Sequence, residues 1–211
     1  MAKISILLSL LSVFNVVRGH GYVQQITAGS AVYTGYLPYT DPYYNIQCNG
    51  WSDGGVIGST PAPIYGTVAA GTKMGLNWTA WPDSHAGPMI TYMALAPSNI
   101  TAWLPGTSPV WFKVAESGKT AAGFIYSFTI PAKLKPGQYI IRHEIIALHA
   151  AYIYPGAQFY PSCIQVQVTG SGTSFPPASS MPLSGAYTAT TPGIVYNMYT
   201  IQAYPIPGPT V

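Results

Sequence analysis

The chain has 211 residues, of which 6% are charged and 13% aromatic, with Tyr (17) far outnumbering Phe (6). So many aromatics exclude a disordered chain, because disordered segments lack the side chains that reward burial. Once Lys3 and Arg18 are assigned to a leader, six basic residues (Lys73, Lys113, Lys119, Lys133, Lys135 and Arg142) face five acidic ones, too few clustered cations for a phosphate-backbone binder.

The length predicts one domain, and the abundance of Gly (22) and Pro (20) predicts short strands and many turns rather than long helices. Lys3 precedes an apolar run from Ile4 to Phe14, and Val17 and Gly19 are small residues around a cut. This is the pattern of a signal peptide over residues 1–19. The apolar run is shorter than the ~18–20 residues of a membrane-spanning helix. The expectation is a secreted, soluble, monomeric protein that begins at His20, forms one domain over 20–211 and carries no appended carbohydrate-binding module.

Period-two alternation follows along the chain. Met74, Leu76 and Trp78 alternate with Gly75, Asn77 and Thr79; Phe124, Tyr126, Phe128 and Ile130 with Ile125, Ser127 and Thr129; Ile164, Val166 and Val168 with Gln165 and Gln167. Half-buried antiparallel strands produce such alternation. Further strands are expected at Val23–Ile26, Val32–Tyr36, Ile90–Leu95, Val110–Val114, Gln138–Ile145 and Gly193–Tyr199. Turns are expected at Pro97-Ser98-Asn99, Glu116-Ser117-Gly118 and Lys135-Pro136-Gly137. Strands at this spacing predict an all-β sandwich. Leu37 to Pro63 and Gly170 to Pro192 have the composition of long loops.

Cys48 and Cys163 are the two cysteines, and in a secreted chain an even pair predicts one disulfide. On the chain-entropy model a loop of over a hundred residues closed in this way contributes about 4–5 kcal/mol. Asn77-Trp78-Thr79 and Asn99-Ile100-Thr101 fit the N-glycosylation pattern. Asn77 sits in a strand-like run, so Asn99 is the better acceptor.

Chemistry depends on four histidines. Cleavage after Gly19 would make His20 an N-terminus, whose α-amino group and ring supply two nitrogens from one residue. His85 lies in the Pro- and Gly-bounded loop Trp81-Pro82-Asp83-Ser84-His85-Ala86-Gly87-Pro88, and loops on rigid scaffolds carry function. On spacing alone, ligand and structural histidine both stay open for His85. His143 reads as a structural histidine within a strand. Gln158 and Tyr160, two apart, share a face if the segment is extended, and Pro161 favours an extended Tyr160. The acids Asp41, Asp53, Asp83, Glu116 and Glu144 are scattered and give no carboxylate pair for a hydrolase.

His20-Gly21-Tyr22-Val23, the stretch Trp78 to Pro88, Phe112 to Gly118, Pro136-Gly137-Gln138-Tyr139, Arg142 to His149, Gly156 to Cys163, Pro192 to Tyr199 and Pro205 to Pro209 together resemble the fungal lytic polysaccharide monooxygenases of auxiliary activity family 9. The resemblance implies an immunoglobulin/fibronectin-III-like antiparallel β-sandwich whose long loops form a flat, copper-bearing face. It implies one copper ion, held by the amine and ring of His20 and by Nε2 of His85, with Tyr160 axial and Gln158 and His149 alongside. It implies oxidative cleavage of cellulose or a related β-glucan with O2 or H2O2 and an external electron donor, either a small reductant or a redox enzyme. Imidazole and amine nitrogens suit copper, and the amine must lose its proton to bind. Tyr199 is the sugar-stacking position that the resemblance marks; Tyr43, with Tyr39 and Tyr44, lies in an early loop and is a further candidate. Relative to the family the chain is short between Tyr44 and Cys48 and between Gly118 and Phe124. A non-catalytic copper- or cellulose-binding protein on the same fold is the alternative. Nucleic acid and membrane are not expected partners.

Overall fold

The computed structural model describes residues 21–34, 61–120, 125–176, 180–183 and 186–211. His20, Tyr39, Tyr43, Tyr44 and Cys48 lie outside the described residues.

Among the described residues, nine strands form two sheets. β1 (Val23–Ala28), β2 (Ala31–Thr34), β4 (Lys73–Trp78) and β7 (Ile125–Thr129) make a four-stranded sheet in the order β2-β1-β4-β7. β3 (Gly66–Ala69), β5 (Gly87–Leu95), β6 (Phe112–Thr120), β8 (Gly137–Ala147) and β9 (Gln158–Thr169) make a five-stranded sheet in the order β3-β9-β8-β5-β6. Every pairing between these strands is antiparallel except β3 with β9, where Gly66 lies opposite Val166 and Ala69 opposite Thr169. The expected sandwich is present.

The inter-sheet core joins Val23, Ile26, Met74, Leu76 and Trp78 of one sheet to Met89, Met93, Ile141, Ile145, Val166 and Val168 of the other. Burying each such side chain contributes about 1.5–3 kcal/mol. A second apolar layer lies on the outer face of the five-stranded sheet. There Ile90, Tyr92, Ile140 and Ile146 pack under Trp111, Ile194 and Tyr196.

Both faces of β8 are therefore covered, and almost all of it is buried. Its polar residues divide by parity, as a strand requires. His143 faces the inter-sheet core, stacked on Tyr126 with ring centroids 4.5 Å apart. Arg142 and Glu144 face the outer layer. There the Arg142 guanidinium lies 2.8 Å from Glu144 Oε2, and Tyr187 donates to Glu144 Oε1 at 2.7 Å. A buried ion pair requires such extra partners to offset its desolvation.

Two expectations need correction. Glu116-Ser117-Gly118 is not a turn but the continuation of β6, which pairs through Ser117 opposite Met89 and Glu116 opposite Ile90. Pairing with β5 overrides the local turn chemistry. Gly193–Tyr199 is not a strand. It is a run of turns, with Ile194 N–H bonded to Thr191 O at 3.2 Å and Tyr196 N–H to Ala151 O at 2.8 Å. Its apolar residues alternate because it lies over the outer layer, not because it joins a sheet. β3 was not foreseen, for four residues of GTVA carry little periodic signal. Cys163 is disulfide-bonded.

Candidate active site

The end of the sandwich that gathers chemistry is the one where β8 finishes and β9 begins. Ala147 lies opposite Gln158 and Ile145 opposite Tyr160. On the other side of β8, Met89 lies opposite Ile145. Leu148 N–H bonds to Ala86 O at 3.1 Å and so ties the end of β8 to the entry of β5. Three segments far apart in sequence thus meet: 81–87, 147–149 and 158–160.

His85 closes a single 3-10 turn, Asp83–His85, between Pro82 and Ala86, both extended. Proline at the entry pre-sets the backbone. Trp81 holds the turn from below: its indole N–H donates to His85 O at 3.0 Å, and its ring lies edge-on to His85 at 6.1 Å. Ser84 Oγ lies 3.0 Å from His85 Nδ1. A partner on Nδ1 selects Nε2 as the nitrogen for a metal.

His149 stacks beside His85 with centroids 4.0 Å apart and 34° between planes. Its Nδ1 is buried without a hydrogen-bond partner, so Nε2 is the nitrogen by which it would meet a ligand. Tyr160 lies edge-on to Trp81 at 4.9 Å and 6.4 Å from the His85 ring. Its hydroxyl donates to Gln158 Oε1 at 2.6 Å, so the two side chains share a side of β9. Burial pushes the Tyr160 phenol above its ordinary range, so it remains protonated and a donor at neutral pH.

The chain reaches this cluster from its other end as well. Tyr22 N–H donates to Thr79 Oγ1 at 3.1 Å, and Thr79 N–H bonds to Tyr22 O at 2.9 Å. This zips the start of β1 to the end of β4. Gly21 then lies on Trp81 so closely that a Cβ there would sit 2.8 Å from Trp81 Cε3 and 3.2 Å from Thr79 Oγ1. Only glycine allows that approach. Trp81 therefore touches Gly21, His85 and Tyr160, and position 20 is one Cα step, about 3.8 Å, from Gly21.

No three His, Cys, Asp or Glu side chains among the described residues gather as a metal cluster. The nitrogen and phenol donors of His85, His149 and Tyr160 suit copper better than a hard cation that takes carboxylates. Glu116 is taken by Lys113 at 2.6 Å and Glu144 by Arg142 and Tyr187, so neither serves as a hydrolytic acid here.

Tyr199 sits at the same end. Its hydroxyl donates to His149 O at 3.1 Å, and its ring is exposed. Asn99 is exposed in the loop after β5, whereas Asn77 lies within β4 opposite Ile125.

The family model of auxiliary activity family 9, formerly GH61, matches residues 20–205. The chain belongs to auxiliary activity family 9. It is an enzyme of the lytic polysaccharide monooxygenase class, a copper-dependent oxidoreductase that cleaves polysaccharides by oxidation. It is 47% identical to the family 9 lytic polysaccharide monooxygenase F of Botryotinia fuckeliana, with 96% of each chain covered. It is also 47% identical to monooxygenase B of Gloeophyllum trabeum, with 92% of each covered. The first alignment runs over 240 residues, more than this chain's 211, which accords with a chain shorter than its relatives. Among solved structures, Cel61B from Hypocrea jecorina superposes with a TM-score of 0.77 at 28% identity, over 91% of this chain and 100% of that one. A cellulose-active polysaccharide monooxygenase from M. thermophila gives 0.74 at 30%, over 91% and 98%. Members of the family are extracellular, and no helix among the described residues is long and apolar enough to cross a membrane.

The sequence pointed to His85, His149, Gln158, Tyr160 and Tyr199, and the fold brings all five to one end. It did not single out Trp81, the ring against which His85 and Tyr160 lie, nor Ser84. The signal for Trp81 was Gly21: a residue without a side chain is needed there because something large lies against it.

Proposed function

We propose that the protein oxidatively cleaves glycosidic bonds in cellulose or a related β-glucan. The reaction would use one copper ion, O2 or H2O2 and an external electron donor. The observation that carries this reading is the convergence on Trp81 of Gly21, His85 and Tyr160, with His149 stacked on His85. Removal of residues 1–19 would expose an amine on His20, the residue that precedes Gly21 in the chain. The family match beginning at residue 20 supports the same start.

The amine and ring of His20 and Nε2 of His85 would hold the metal, with the Tyr160 hydroxyl toward one side. When bound, copper supplies one-electron redox chemistry toward O2 or H2O2. Ser84 and the bond from the Trp81 indole to the His85 carbonyl fix the imidazole that receives it. Tyr160 orients the Gln158 amide by occupying its carbonyl oxygen. Gln158 and Nε2 of His149 are then the groups available to donate or accept hydrogen bonds beside the metal, and losing such partners typically costs about 10–100-fold in a metal site. Tyr199 offers an exposed ring for a sugar face. Secretion, a Cys48–Cys163 disulfide, glycosylation at Asn99 and a monomeric single domain over 20–211 complete the proposal.

The test uses secreted, processed protein with copper, ascorbate and amorphous cellulose, with soluble products read by mass spectrometry. Aldonic or C4-oxidised oligosaccharides are expected. Tight copper binding without oxidised sugars would favour the non-catalytic binding protein instead. N-terminal sequencing that returned any start other than His20 would remove the copper ligand set.

A further inference from the structure

The loop between β8 and β9 places two large side chains in solvent at this end. Tyr152 is 61% exposed and Tyr154 49%, with Ile153 between them also exposed. Their backbone is tightly held. Ala151 is fully buried, its N–H bonds to Leu148 O at 3.0 Å, and its carbonyl accepts from Tyr196 N–H at 2.8 Å. Gly156 closes the loop so tightly that a Cβ there would fall 2.0 Å from Ala150 O and 2.4 Å from Ile153 O. Tyrosines on an exposed but braced loop are not core residues that failed to bury; they lose little entropy on making a contact.

This loop continues the surface already described. It contains His149 and leads directly into Gln158 at the start of β9, and the segment bonded to it carries Tyr199, whose hydroxyl reaches His149 O. That segment is braced internally. Asn197 Oδ1 accepts from Tyr199 N–H at 3.0 Å, and the Tyr196 hydroxyl donates to Gln202 O at 2.9 Å. Residues 149–157 and 194–204 contain no Asp, Glu, Lys or Arg. An exposed surface of aromatic rings without charge fits a neutral, hydroxyl-rich chain better than a charged partner.

We infer that Tyr152 and Tyr154 form a second sugar-contacting site on the β8–β9 loop, which extends the glucan surface beyond Tyr199 and fixes how the enzyme sits on its substrate. This rests on the glucan reading above. The occupant is further sugar units of the same neutral β-glucan, gripped by ring faces and tyrosine hydroxyls.

The test measures partition of the copper-loaded, processed protein onto amorphous cellulose without reductant, so that binding is read apart from turnover. The double variant Tyr152→Ala/Tyr154→Ala should partition roughly tenfold more weakly, the fold-change that two aromatic contacts are worth. Its copper affinity and Tm should match those of the parent. Tyr152→Phe/Tyr154→Phe, which keeps both rings, should recover most of the binding and guards against a misfolded alanine variant. Tyr65→Ala removes another exposed tyrosine, just before β3, whose first residue pairs with Val166 far along β9 from Gln158, and should leave partition unchanged. Partition unaffected by the double alanine variant would overturn the inference. So would a parent that sediments as a dimer and becomes a monomer on that substitution, since the patch would then join two copies. A parent that binds glucan through these tyrosines but releases no oxidised sugars would sink the enzymatic reading and leave this site standing. Oxidised products with tyrosine-independent binding would do the reverse.

Discussion

His143 and the His85–His149 pair belong to one sheet and its edge and could hardly be housed more differently. His143 is fully buried between the sheets, stacked on Tyr126, with Nδ1 2.9 Å from Thr91 Oγ1. Burial, and after it the neighbouring Arg142 cation, push it down to about 3, so it is neutral at any ordinary pH. His85 and His149 lie at the sheet's end, half-buried and braced by backbone and hydroxyl contacts. The inner imidazole serves packing, and the outer pair is held yet reachable. A histidine's role here follows from where its strand stops, not from the residue type.

The largest effect that would break this contrast is on metal binding. His85→Ala should abolish tight copper binding, with isothermal titration showing at least about a hundredfold loss, while Tm changes little because the ring is half-exposed. His143→Ala should do the opposite. It leaves a cavity beside Trp78 and Tyr126 and unpairs Thr91, costing about 2–4 kcal/mol, with copper affinity intact. If both substitutions removed copper equally, the division between the two regions would be wrong.

Tyr160→Phe should have a smaller effect, lowering turnover about tenfold with copper affinity nearly unchanged, since it removes the hydroxyl that orients Gln158 but keeps the ring on Trp81. The assay is initial rate of oxidised product release against copper titration of the same sample.

The last effect is in pH. Unfolded His143 titrates near 6.5, whereas in the folded protein it binds a proton only near 3. Between these values the unfolded chain takes up a proton that the native state refuses, so stability falls as pH drops through that window. Urea midpoints of wild type and His143→Gln, measured from pH 7 to pH 4, should converge toward the acid end. Parallel curves would show that His143 is not held neutral.

Much of the sandwich could be read from alternation. Met74, Leu76 and Trp78, or Ile164, Val166 and Val168, put apolar side chains on one side of a strand whatever lies beyond it. The reading failed where a segment's pattern came from something other than its own sheet. Ile194 and Tyr196 are buried because they cap the outer layer of β8, and Glu116-Ser117-Gly118 is extended because β5 offers it partners. Among site residues, His85, Gln158 and Tyr160 were legible as motifs. Tyr152 and Tyr154 were not, because exposure of a tyrosine has no local signal.

What the linear order of residues settles is chemical: histidines and a tyrosine able to serve copper, strands of period two, and too few charges or paired acids for a nucleic-acid binder or a hydrolase. The packing of Gly21, His85 and Tyr160 against the single ring of Trp81, with His149 stacked on His85, comes from the fold alone. Periodicity fixes which side of a strand a residue faces, but where strands end and which ends coincide depends on register between segments distant in the chain.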